Sequence, residues 1–392
     1  MPNARVAEFL LDPALTFLNH GSFGACPRVV LDAQLAYRER LERDPVRFLA
    51  GDLEGLLDVA RQSAAAFVDA APEDFVFVRN ATSAVNTVLA SFPFRAGDEL
   101  LVTDHGYAAC RNAAEYWAAR ASARVVEACL PWPLSDADAA LDAIRRVLTP
   151  RTRFALVDHV TSPSALVLPI ERIVAELRDR GVTVLVDGAH APGMLPLSVR
   201  AVGADYYTGN FHKWCCAPKG AAFLATTPAR RGTLRPLVVS HGATADRPER
   251  PRAWLEFDWV GTEDPTAYLT VPHALDFIRT ALPGGLAALY QQNRTLVLEA
   301  RALLGERLGA VPSAPSDFVG SMATVTLPAA GLPAPAALSR RLLEEHRIEV
   351  PVFTVNGSRD CAFRVSAHLY NALEDYQHFA SALELIVRSP AN

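Results

Sequence analysis

Several features are missing from this chain of 392 residues, and each absence narrows what it can be. No stretch approaches the roughly 20 consecutive apolar residues needed to span a membrane. There is no block of Lys and Arg, and a net charge of -5 with a pI near 6.1 offers a nucleic acid no basic face. The six cysteines (Cys26, Cys110, Cys129, Cys215, Cys216 and Cys361) are scattered, without a Cys-x-x-Cys pair or a His/Cys cluster at ligand spacing. That argues against a structural zinc site, a secreted disulfide framework and any other metal centre. The opening Met-Pro-Asn-Ala-Arg-Val-Ala-Glu-Phe-Leu has no uninterrupted apolar core and no small-residue cleavage site, so a cytoplasmic location is expected. Internal repeats, low-complexity tracts and flexible linkers are also lacking.

What is present is an alternation of short apolar runs with longer amphipathic stretches. Residues 75–78, 99–102, 153–158, 182–186, 204–207 and 220–224 read as strands, and 136–148 and 170–180 as helices between them. Continuously apolar strands separated by helices predict an α/β fold with a mainly parallel sheet covered on both faces. Ligands gather at the carboxyl ends of such strands. Asn80, Asp104, His105, Asp158, Asp187 and Asn210 would all fall there. Residues 240–262, rich in Pro, Arg and acids, read as an irregular surface excursion. The chain beyond continues with helices at 272–282 and 286–308, a strand at 322–327, a helix at 336–346, a strand at 359–366 and a helix at 372–388. The expected organisation is an N-terminal strip at 1–20, a large domain at 21–265 and a smaller C-terminal α+β domain at 266–392.

Two strand ends carry the strongest chemistry. The run from Gly181 closes on Asp187-Gly-Ala-His190, and the run from Ala204 closes on Asn210-Phe-His212-Lys213. A carboxylate just past a buried strand can keep a pyridine nitrogen protonated. A lysine set among His, Asn and aromatic residues can form an imine with an aldehyde. Together they are the parts that pyridoxal 5′-phosphate requires. Asn80-Ala81-Thr82-Ser opens an apolar-periodic helix, where free N–H groups and a hydroxyl suit a phosphate. Asp104-His105-Gly-Tyr107 ends another strand and offers a ring to stack on the cofactor and a group to pass a proton. His190 lies within reach of the same ring region, and Gly261-Thr262 supplies a tight turn with a hydroxyl. Arg364, inside an apolar strand, needs a carboxylate, from an internal ion pair or from an amino-acid substrate. Cys215 and Cys216 read as small buried residues of a packed turn.

From residue 17 to 371 the sequence resembles the class V aminotransferase group of fold-type-I pyridoxal-phosphate enzymes, and within it the isopenicillin N epimerase-like branch. The stretches that carry the resemblance include Leu18-Asn19-His20-Gly-Ser-Phe-Gly24, Asp44-Pro-Val-Arg-Phe48, His159-Val-Thr-Ser-Pro163, Asp187-Gly-Ala-His190-Ala-Pro-Gly193 and Arg364-Val-Ser-Ala-His-Leu-Tyr-Asn371. The resemblance implies that Lys213 is the Schiff-base lysine and Asp187 the partner of the pyridine nitrogen. It assigns Thr82, Asn210 and His212 to the phosphate, and Thr262 to the phosphate of a neighbouring subunit in a homodimer with shared sites. His105 takes the ring-stacking position of related cysteine desulfurases, and Tyr107 a position that some lyases of the branch use in catalysis. Arg364 matches the arginine that binds the substrate carboxylate, and Asn19 and His20 would line the entrance.

The branch hosts β-elimination from cysteine conjugates, epimerisation, and decarboxylation-linked oxidative deamination. A self-persulfidating desulfurase is argued against by the absence of cysteine from 350–357, ahead of Arg364. An epimerase needs a proton donor on each face of the carbanion, and the chain departs from the epimerase pattern at Asn19-His20 and at Asn210-Phe211. Elimination asks less, with Lys213 as base and Tyr107 or Lys213 as acid. The favoured expectation is therefore a C–S lyase acting on an S-conjugated cysteine. Transamination trails because nothing identifies an amino acceptor. A non-catalytic cofactor sensor would need a fused DNA-binding segment or a lost lysine, and neither is present.

Overall fold

A computed structural model of the chain describes residues 3–328, 332–355 and 360–388. Its centre is a seven-stranded sheet made of β2 (Phe75–Val78), β3 (Glu99–Thr103), β4 (Arg124–Ala128), β5 (Thr152–Asp158), β6 (Thr183–Asp187), β7 (Tyr206–Asn210) and β8 (Ala222–Thr226). The order across the sheet is β2-β8-β7-β6-β5-β3-β4, with β8 antiparallel to both neighbours and the other pairings parallel. β2, β3, β6 and β7 are buried along their whole length, as expected of strands covered on both faces. Sequence reading missed β4, an edge strand that begins on exposed Arg124 and is half-buried along most of its length. An edge strand covered on one side has no continuous apolar run to betray it.

Helices Ala81–Ser91 and Ala108–Arg120 pack on one face of the sheet, with Val85, Val88 and Cys110 against Leu100, Leu156 and Leu185. Helices Leu53–Phe67, Ala137–Val147 and Ile170–Asp179 enclose the other face. The stretch read as an irregular excursion contains a short helix, Arg252–Phe257. Behind it, fully buried Arg61 bridges Asp58 and Asp258 and lies 4.1 Å under the Trp254 ring.

A second sheet follows, in the order β12 (Val352–Thr354), β13 (Cys361–Ser366), β10 (Met322–Leu327) and β9 (Val311–Pro312), antiparallel throughout. The helices Pro335–His346 and Leu373–Arg388 cover it. The passage from one core to the other occurs inside the helix Gly285–Leu308, where Leu289 joins the large core and Val297 the small one. The N-terminal segment also reaches the second body: β1 (Thr16–Phe17) pairs in parallel with β11 (Ile348–Glu349). Asn356, Gly357 and Arg359, which belong to the stretches read at 350–357 and 359–366, lie outside the described residues. Among the described residues, no helix is long and apolar enough to cross a membrane.

Candidate active site

The carboxyl ends of β5, β6 and β7 meet the start of the helix Ala81–Ser91 at a cavity of about 980 Å³. Asn80, Ala81, Thr82, Tyr107, Asp187, His190, Asn210, His212 and Lys213, all expected from the sequence, line it. Asp158, Ser162, Ser22 and Lys219 join them.

Lys213 projects from the turn after β7. That turn is held by close backbone approach: a Cβ at Gly24 would collide with the main-chain oxygens of His212 and Lys213, and Gly24 also has a φ of +70°. Lys213 Nζ lies 3.1 Å from His190 Nε2, and Trp214 Nε1 donates to His190 Nδ1 at 3.3 Å. An indole nitrogen can only donate, so Nδ1 is the accepting nitrogen of a neutral imidazole and Nε2 carries the proton. His190 therefore donates to Lys213, which must be a neutral amine. Electrostatics agree, because burial and then the Arg364 charge pull the Lys213 pKa down to about 7. The pKa of His190 also falls well below the usual value, through burial and then Lys213. Of the chain's two lysines the other, Lys219, donates to the Gly24 carbonyl at 2.7 Å.

Asp187, at the end of β6, accepts from the Ala189 N–H at 3.0 Å and from the Cys110 thiol at 3.2 Å. At the phosphate-type end, Asn80 caps the helix by accepting from the Ser83 N–H at 2.8 Å. Asn210 Oδ1 accepts the Ala81 N–H at 3.0 Å. This positions Asn210 as a brace for the helix start, with its amide nitrogen left to face the cavity. His212 Nδ1 lies 3.0 Å from the Ala221 carbonyl, so it donates there and presents Nε2 on the cavity side.

Arg364 is buried behind the Ser22 and Ser162 wall of the cavity and does not itself line it. It donates to the Ser162 carbonyl at 2.5 Å, to Asn19 Oδ1 at 3.2 Å and to Ser22 Oγ at 2.9 Å. No carboxylate among the described residues pairs with it, and its Nε has no hydrogen-bond partner. Burial pulls its pKa down to about 10, and Tyr107 opposes that fall. A buried cation without an anion is costly unless a ligand supplies one.

Three residues sit differently from expectation. His105 is turned toward Ser164, with Nδ1 2.6 Å from its hydroxyl and its ring 5.5 Å from Trp132, and it does not line the cavity. Asn19 and His20, expected at the entrance, are buried. Asn19 holds Arg364. His20 Nε2 donates to the Lys213 carbonyl at 3.1 Å, and its Nδ1 accepts from the Tyr370 hydroxyl at 2.7 Å. Its ring stacks on His368 at 4.0 Å. His20, Cys216 and His368 bring potential ligand atoms within 4.8 Å, but His20 already spends both ring nitrogens, leaving none for a metal. Thr262 is exposed, while Glu263 and Asp264 beside it line the cavity. The residues that sequence reading missed are Ser22 and Cys110, and of these only Ser22, in Asn19-His-Gly-Ser22, gave any signal.

A family model for class-V aminotransferases matches residues 19–309. The chain belongs to the class-V aminotransferase family. Among its class-V relatives, a putative L-cysteine desulfhydrase from rice (Oryza sativa subsp. japonica) is 33% identical over 94% of this chain and 83% of its own length. Isopenicillin N epimerase from Amycolatopsis lactamdurans is 36% identical over 97% of both chains. Among solved structures, the cystine C–S lyase C-DES in complex with its product cysteine persulfide superposes with a TM-score of 0.81 at 25% identity, over 94% of this chain and 97% of its own. The class-V, fold-type-I α/β architecture expected from the sequence is the one observed.

Proposed function

We propose that the protein is a pyridoxal-phosphate-dependent C–S lyase that eliminates a thiol from an S-substituted cysteine. One observation carries this reading: a buried, anion-free Arg364, held by Ser22 and Ser162 of the cavity wall, faces the neutral amine of Lys213 closely enough to depress its pKa. An amino acid with a free carboxylate completes that arrangement. The rice desulfhydrase and the cystine lyase C-DES support the class of reaction.

The donor set fits the cofactor. Thr82, with the free end of the helix Ala81–Ser91 and His212, suits a phosphate, and buried Asp187 suits a protonated ring nitrogen. When bound, pyridoxal phosphate supplies an electron sink for the substrate's α-carbon. The chain does the rest. Arg364 holds the substrate carboxylate bidentately and so fixes which bond at Cα faces Lys213. Lys213, its pKa lowered to about 7, takes the Cα proton at Nζ in its neutral form, and His190 Nε2–H orients that nitrogen. The C–S bond breaks, the sulfur leaves as thiolate, and the Tyr107 hydroxyl at the cavity mouth protonates it. The released 2-aminoacrylate hydrolyses to pyruvate and ammonia. We further propose that a second copy of the chain brings its Thr262 to this phosphate, in keeping with the exposure of Thr262 beside cavity-lining Glu263.

Incubating the purified yellow protein with S-alkylcysteines in D₂O, followed by mass spectrometry, tests the reading. Pyruvate with free thiol is expected. Deuterium at Cα of an intact skeleton would replace elimination by epimerisation, the reading that the Amycolatopsis relative supports. Loss of CO₂ with formation of an aldehyde would replace it by oxidative deamination.

A further inference from the structure

Asp187 is not alone at its strand end. β5 and β6 are in register such that Asp158 lies directly beside Asp187, and both side chains are buried and line the same cavity. Two buried carboxylates side by side repel each other, which favours a proton on one of them. The hydrogen-bond donors around the pair decide which.

We propose that Cys110 is a positioning residue for the cofactor: by donating its thiol proton to Asp187 Oδ2 it fixes the single negative charge of the Asp158–Asp187 pair on Asp187. The proposal rests on the pyridoxal-phosphate reading above. Cys110 sits in the first turn of the helix Ala108–Arg120, immediately after Tyr107, and is buried against the sheet with its sulfur 3.2 Å from Oδ2. Oδ1 of the same carboxylate takes the Ala189 N–H. Both oxygens of Asp187 thus meet hydrogen-bond donors. Asp158 receives backbone N–H groups from Tyr107 and from its own residue, and no side-chain donor among its described partners. Burial, followed by the neighbouring Asp187, pushes the Asp158 pKa well above the carboxylate range. The Cys110 thiol is likewise raised by burial and then by Asp187, so it remains S–H and can only serve as donor to the carboxylate. The other titratable groups that act on this cluster are Lys213, whose charged form favours the ionised form of Asp158, and Tyr207, whose own pKa Asp187 raises. A purely space-filling cysteine would have no need to aim its sulfur at the carboxylate.

The test uses the holoprotein reconstituted with pyridoxal phosphate carrying ¹⁵N in the ring, and reads the nitrogen resonance together with cofactor retention on dialysis. Wild type and Cys110→Ser, which keeps a donor, should show a protonated ring nitrogen. Cys110→Ala should move the resonance toward the unprotonated position and weaken retention by roughly fivefold, the loss of one hydrogen bond. Asp158→Asn, which removes a carboxyl that is already neutral, should leave the resonance in place. An unchanged resonance in Cys110→Ala overturns the proposal, as does a shift in Asp158→Asn, and the second variant decides the matter if the first does not fold. A wild type that takes up no labelled cofactor would instead sink the parent reading, and this proposal with it.

Discussion

The two ends of the cavity are built on opposite principles. At the Thr82 end the polar groups belong largely to one helix start, and they are satisfied from within: Asn80 takes the Ser83 N–H and Asn210 takes the Ala81 N–H. At the Arg364 end a single cation is assembled from three remote segments, Asn19 and Ser22 near the N-terminus, Ser162 after β5, and β13 itself. Its charge is left uncompensated among the described residues. The first end is preformed and leaves the Thr82 hydroxyl and His212 on the cavity wall to meet an anion, as suits a cofactor that stays. The second stores an unmet demand for an anion, as suits a substrate that comes and goes. Lys213 lies between them and feels the second end as a lowered pKa.

The comparison can be broken at several points. Lys213→Ala, which removes the group both ends serve, should abolish elimination and the visible chromophore together, and a retained cofactor band would contradict the assignment. Arg364→Ala should cost about 2 kcal/mol or more of substrate binding, an increase in KM on the order of 30-fold. A KM left unchanged, measured with the same S-alkylcysteine, would place the carboxylate elsewhere. Capture of pyridoxal phosphate by the cofactor-free protein should accelerate as pH rises through about 7 and level off above it, because the attacking amine is neutral above its depressed pKa. A rate that kept climbing toward pH 10 would show an ordinary lysine. Asn210→Ala strands the Ala81 N–H and should weaken cofactor affinity by ~1–2 kcal/mol while leaving KM for substrate nearly untouched. A larger change in KM than in cofactor affinity would erase the distinction between the two ends. His20→Phe, which leaves the Lys213 carbonyl and the Tyr370 hydroxyl without their partner, should act on stability instead and lower Tm by a few degrees, roughly 1–3 kcal/mol.

The sequence revealed the elements that depend on local pattern. β6 and β7 carry apolar and aromatic runs that end on polar residues, so Asp187 and Lys213 could be placed at a sheet's ligand-binding edge, and Asn80 announced a helix cap. What stayed hidden depends on contacts between distant residues. Cys110 meets Asp187 across 77 positions, and nothing in Ala-Ala-Cys110-Arg hints at it. The resemblance set Asn19 and His20 at the entrance, yet their partners Arg364 and Tyr370 lie about 350 residues on, and those partners hold both inside. His105 followed a strand end as a stacking ring should, but its contacts with Ser164 and Trp132 are not predictable from its surroundings. One signal was legible and decisive in retrospect: with only Lys213 and Lys219 in the chain, any amine chemistry has two addresses.

That scarcity makes the most direct measurement a simple one. The holoprotein is reduced with borohydride, digested, and the pyridoxyl adduct located by peptide mass spectrometry. The account predicts modification of Lys213 alone, since Lys219 is committed to the Gly24 carbonyl. An adduct on Lys219, or none on either lysine, would contradict it.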